Sequence, residues 1–141
     1  MALAVMPSMA NFSSADFDAV YEPSDDTWLL CDALLADFDD LAARRPSLAL
    51  EVGPGSGAVC NFLALTFRRR GLVCPAILAC DINPEACDAT LRTSAANDVA
   101  SIDAITCDLL GAMRGRIDGN IDVLLWNPPY VPTPSEEVGL G

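Results

Sequence analysis

The 141-residue chain contains no histidine, and its six cysteines (Cys31, Cys60, Cys74, Cys80, Cys87 and Cys107) include no C-x-x-C pair. Neither a zinc site nor a disulfide framework is suggested, so no metal is expected and the cysteines read as small buried apolar residues. Basic residues are scarce. Eight stand against 20 acidic ones, a net charge of −12, which is a poor surface for gripping phosphate backbones because that grip comes from Lys and Arg displacing counterions. The one basic cluster, Arg68-Arg69-Arg70, reads as a solvated helix C-terminus, where positive charge suits the dipole. No apolar run reaches transmembrane length. Residues 1–10 are apolar but lack the basic flank and length of a secretory signal, so residues 1–19 are expected as a loose N-terminus and the protein in the cytoplasm, with the nucleus as a second location. There are no internal repeats and no low-complexity segment.

What is present fits a sheet covered by helices: 52 % of residues are hydrophobic and 20 % charged. Trp28, Cys31, Leu34, Leu35, Phe38, Leu41 and Ala42 recur at helical spacing behind a Ser24 cap, which predicts a helix over 25–43. A short strand, 48–52, runs into Gly53-Pro54-Gly55-Ser56-Gly57. Val59, Phe62, Leu63 and Thr66 mark a second helix stopped by Gly71. A strand at 76–80 closes on Asp81, and Asn83-Pro84 opens a helix to about Asn97. Strands at 102–106 and 121–126 follow. Strands separated by helices argue for an α/β fold with a parallel, doubly wound sheet.

In such a sheet ligands bind at the carboxyl ends of the strands, where the winding reverses. Gly53, Gly55 and Gly57 would line that place, letting backbone N–H groups and a helix N-terminus approach a ligand. A tight turn without a ligand gives the same glycines. Asp81, ending the second strand, is placed to accept from two ribose hydroxyls; it could equally cap the following helix. Asp108 could accept from an adenine amino group or be an ordinary loop acid. Glu51 is harder to place on a surface, because strands of a covered sheet are apolar on both faces. A buried carboxylate needs a partner, and a cationic ligand would be one. A dinucleotide competes for the loop, since Gly53-x-Gly55-x-x-Ala58 can be fitted to G-x-G-x-x-G/A.

Asn127-Pro128-Pro129-Tyr130, directly after the last apolar run, weighs against a dinucleotide. An Asn side-chain oxygen beside a Pro carbonyl offers two acceptors to one NH2 group. The prolines fix φ and keep these residues out of strand pairing. Tyr130 can add a flat wall.

Taken together, Leu50-Glu51-Val52-Gly53-Pro54-Gly55-Ser56-Gly57, Asp81-Ile82-Asn83-Pro84, Asp108-Leu109 and Asn127-Pro128-Pro129-Tyr130 resemble the class I S-adenosylmethionine-dependent methyltransferases. The segment Val20-Tyr21-Glu22-Pro23-Ser24-Asp25-Asp26-Thr27 is similar to the eukaryotic and archaeal HemK-like branch, which methylates the glutamine of the GGQ motif in class I translation termination factors. The resemblance spans about residues 20–139; Pro54 replaces the small residue usual after the first glycine. It implies S-adenosylmethionine as cofactor, with Glu51, Gly53, Gly55 and Gly57 around its methionine part, Asp81 at the ribose, and Asp108 with Leu109 at the adenine. Asp26 and Thr27 would help close the pocket. Asn127, as catalytic residue and also beside the cofactor, would with Pro128, Pro129 and Tyr130 bind the substrate amide. The implied partners are a release factor as substrate and a small zinc-binding activator subunit.

The family sheet has seven strands, and this sequence supplies the first four, so residues 20–141 are expected to be the N-terminal part of one methyltransferase domain. The fourth strand would then be an apolar edge, marginal or prone to aggregate. Two other functions stay open at this point. One is a non-catalytic fragment that binds cofactor or partner. The other is a nucleic-acid amino methyltransferase, since base amino groups pose the same NH2 problem; the charge of −12 argues against it.

Overall fold

The computed structural model describes residues 5–129; Tyr130, expected at the substrate, lies outside them. The elements in chain order are α1 (Asp16–Ala19), α2 (Asp25–Ala36), α3 (Phe38–Ala43), β1 (Leu48–Val52), α4 (Ala58–Arg69), β2 (Ala76–Asp81), α5 (Pro84–Ala96), β3 (Ile102–Thr106), a 3-10 turn (Gly111–Met113) and β4 (Val123–Trp126). The four strands form one parallel sheet in the order β3-β2-β1-β4. From β1 the chain steps outward to β2 and β3 and then returns to β1's other side as β4. The winding therefore reverses between β1 and β4.

Both faces of the sheet carry apolar side chains, as a covered parallel sheet requires. On one face Ala49, Ile77, Ala79 and Leu125 pack with Cys31, Leu34 and Phe38 and with Val59, Phe62, Leu63 and Phe67 of α4. On the other, Leu50 and Cys80 meet Met113 and Ile117, with Leu110 and Ile121 packed around them. That second cover is the β3–β4 connection rather than a long helix. Cys31, Cys60, Cys80 and Cys87 are buried, Cys74 and Cys107 half-buried, and all six are free thiols.

Four expectations need correction. The helix predicted over 25–43 breaks at Asp37 (φ −94°, ψ 2°), and the break turns Phe38 inward, where its ring meets Phe67 edge-on at 4.8 Å. The last strand starts at Val123 rather than Ile121, because the Asp122 carboxylate accepts from the Ser47 and Leu48 N–H groups at 2.7 and 3.0 Å and brackets the strand start to β1. Arg68 is not merely solvated. Its guanidinium donates to the Asn97 and Asp98 carbonyls at 2.8 Å each, meeting oxygens that the end of α5 leaves without helical partners. Arg70, beside it, donates to Asp39 and lies over the Phe38 ring. Residues 5–19, expected as loose, lie along α5: Ser8 exchanges two hydrogen bonds with the Asn97 side chain, Arg92 pairs with Asp16 at 2.8 Å and covers Phe12, and Asn83 donates to the Ala19 carbonyl.

Candidate functional site

Because the strands are parallel, their carboxyl ends share one edge, and the strand order ranks the residues that follow them as Asp108, Asp81, the glycine loop and Asn127. With neighbouring strands about 4.8 Å apart, this row is about 14 Å long. It straddles the winding reversal, the place where open α/β sheets take ligands.

Glu51 sits in β1 with 3 % exposure. Its Oε2 accepts from the Cys60 N–H at 3.0 Å, one of the donors that the N-terminus of α4 cannot satisfy by itself. The carboxylate thus has a partner within the protein. Burial pushes its pKa up to about 7, against the pull of the hydrogen bond from Cys60. Its proximity also helps raise the Cys31 thiol to about 12, where burial is the larger cause.

Asp81 ends β2 and is buried. Its Oδ1 accepts from the Asn83 N–H at 3.0 Å and its Oδ2 from the Gly55 N–H at 3.4 Å. Both contacts lie within the protein: the acid ties the turn into α5, close to the helix-capping reading, and it braces the glycine loop. Desolvation raises its pKa despite these bonds.

In the loop, the N–H of Gly53 bonds to the Cys80 carbonyl and that of Gly57 to the Pro54 carbonyl, each at 2.8 Å. The first donor is spent on β2 and the second within the loop, and that of Gly55 on Asp81, contrary to the expectation that they reach a ligand. Gly55 has φ +55° and nothing within 4 Å of where a Cβ would stand, so its left-handed turn faces open space; Gly53 is similarly open. Gly57 differs. A Cβ there would lie 2.8 Å from the Thr90 Cα, so this glycine lets α5 close onto the loop. Thr90 Oγ1 donates to the Gly55 carbonyl at 3.3 Å and Thr93 Oγ1 to the Ser56 carbonyl at 2.7 Å. These two fully buried threonines were missed by sequence reasoning; the available signal was a pair of hydroxyls three residues apart on the inner face of α5.

Asp108 and Leu109 follow β3 in a tight turn, with the Gly111 N–H on the Asp108 carbonyl. Leu109 has φ +47° and is 59 % exposed. A strained, outward apolar side chain of this kind fits an apolar wall for a flat ligand.

Asn127 is the first residue after β4 and is half-buried; Pro128 and Pro129 are exposed beyond it. Its Nδ2 donates to Asp26 Oδ2 at 3.1 Å, which brings the start of α2 to the end of β4. Thr27, expected to close the pocket, uses its hydroxyl to accept from the Ser24 N–H at 3.2 Å at the same helix start.

No protein-family model matches the chain. Among curated proteins, it is 43 % identical over 133 residues to Methyltransferase HEMK2 of Mus musculus, covering 94 % of this chain and 59 % of that one. It is 44 % identical over 123 residues to Methyltransferase HEMK2 of Homo sapiens, covering 87 % and 54 %. To the eRF1 methyltransferase catalytic subunit mtq2 of Schizosaccharomyces pombe it is 31 % identical, covering 94 % and 59 %. The chain thus spans somewhat over half the length of these relatives. Over nearly its whole length, the site row at the strand ends included, the chain is thus similar to proteins named as HEMK2 and eRF1 methyltransferases.

Proposed function

We propose that the chain is the cofactor-binding and amide-clamping part of an N-methyltransferase whose acceptor is the GGQ glutamine of a class I release factor. The observation that carries this reading is the position of Asn127, at the winding reversal and in one row with the glycine loop and Asp81. The name of the fission yeast relative supports both a release factor as acceptor and a catalytic chain that works beside another subunit. For that second chain we propose a small zinc-binding activator, with the complex in the cytoplasm.

The site suits S-adenosylmethionine on its own chemistry. A buried Glu51 held only part-charged near neutrality gains from a cationic ligand group, which draws it back to carboxylate. The open side of Gly53 and Gly55 leaves room for the methionine part, Asp81 for the ribose, and Asp108 with Leu109 for the adenine; Asp26 and Thr27 stand at the helix start opposite. When bound, the cofactor supplies an electrophilic sulfonium methyl. The acceptor is the harder partner, because an amide nitrogen shares its lone pair with its carbonyl. Asn127 Oδ1 and the Pro128 carbonyl accept the two N–H bonds of the target, with Pro129 stiffening the turn, and so hold the nitrogen toward the methyl. Orientation of this kind contributes up to about 7–11 kcal/mol.

The test separates the two halves of the site. Asn127→Ala is expected to abolish methyl transfer to a GGQ-containing factor, assayed with the activator present, while cofactor affinity by calorimetry changes little. Asp81→Ala is expected to weaken cofactor binding first. Undiminished transfer by Asn127→Ala overturns the clamp, and cofactor binding without any transfer by the parent chain marks it as a binding fragment.

A further inference from the structure

We propose that Asp26 is a positioning residue for Asn127, fixing which end of its side-chain amide is presented to the acceptor. This rests on the reading of Asn127 as the clamp. An asparagine amide has an oxygen and an NH2 on nearly the same outline, and a half-turn exchanges an acceptor for a donor. A clamp that must accept from a substrate NH2 fails in the turned state. Asp26 removes the ambiguity by its chemistry, since an ionised carboxylate has only acceptors to offer and can hold only the NH2 end. The observed contact is of this kind, Asn127 Nδ2 to Asp26 Oδ2 at 3.1 Å across 101 residues of sequence. Oδ1 of Asn127 is thereby turned away from Asp26.

The carboxylate is itself held. Asp26 Oδ1 accepts from the Ser24 hydroxyl at 2.6 Å and from the Thr27 N–H at 2.9 Å. A first-turn acid that merely capped α2 would need that oxygen alone. The second oxygen is left for Asn127. The hydrogen bond from Ser24, and after it the one from Asn127, also keep the Asp26 carboxyl below the usual carboxylate range, so it stays charged at neutral pH.

Two readouts decide the matter on the whole chain with its activator. In nitrogen-15 spectra the Asn127 side-chain NH2 pair, identified by its loss in Asn127→Ala, should shift clearly in Asp26→Asn, recover in part in Asp26→Glu, and stay put in the neighbouring control Asp25→Asn. In methyl transfer, Asp26→Asn should lower kcat by about tenfold with a smaller change in cofactor affinity, and Asp26→Glu should recover part of the loss. An Asn127 signal indifferent to Asp26→Asn overturns the proposal, as does a kcat that Asp26→Asn leaves unchanged. If the parent chain transfers no methyl to glutamine, the acceptor assignment fails by itself, and the Asn127 resonance still decides the role of Asp26.

Discussion

Glu51 shows how one residue couples stability to the site. Its pKa in the folded chain stands at about 7 against an ordinary 4.5, so between those values the folded chain keeps a proton that the unfolded chain has lost. Stability therefore falls as pH rises from about 4.5 to about 7 and levels off above, a loss of about 3 kcal/mol. Glu51→Gln keeps an acceptor for the Cys60 N–H and removes the titration. It should be more stable than the parent at pH 8 and little different at pH 5, by denaturant unfolding, while binding S-adenosylmethionine more weakly. An equal difference at both pH values would mean that ionisation of Glu51 is not the cause. Glu51 and Asp81 were legible in the sequence because a carboxylate within or closing an apolar strand breaks the pattern. The pairing of Asp26 with Asn127 was not, since no local pattern connects residues 101 positions apart.

At the scale of elements, the strands and the helices α4 and α5 were legible because turn residues punctuate them: Gly53 and Gly57 after β1, Gly71 after α4, Asn83-Pro84 before α5. The break at Asp37 was hidden. The apolar spacing continues through it, and only the Phe38–Phe67 contact, a tertiary event, requires the bend. The glycine loop offers a graded test of how α5 shapes it. Gly57→Ala brings a Cβ to 2.8 Å from the Thr90 backbone at φ +83°, and should cost about 3 kcal/mol. Gly55→Ala meets only the backbone penalty of a left-handed turn in open space and should cost about 1–2 kcal/mol. Equal losses in thermal unfolding would show that close packing on α5 is not what Gly57 provides.

For the whole molecule, the parallel topology followed from the alternation of helices and strands, whereas the N-terminal packing did not, because Phe12 and Phe17 gain meaning only once α5 supplies Arg92 above Phe12. At the opposite side of the sheet, β4 leaves Leu124 56 % and Trp126 53 % exposed on an edge strand of the described residues. Such an edge invites pairing with another copy. The 141-residue chain is expected to self-associate in sedimentation experiments despite its charge of −12, and the double substitution Leu124→Lys, Trp126→Lys to reduce that association. A parent chain that stays monomeric would remove the edge as its cause. The N-terminal segment has a quieter consequence. It fastens both ends of α5, at Asn83 through the Ala19 carbonyl and at Asn97 through Ser8, while the middle of that helix holds the Gly55 and Ser56 carbonyls. Residues 8–19 thus act as a splint, and the shape of the glycine loop is set in part, through α5, by a stretch of chain more than thirty residues before it.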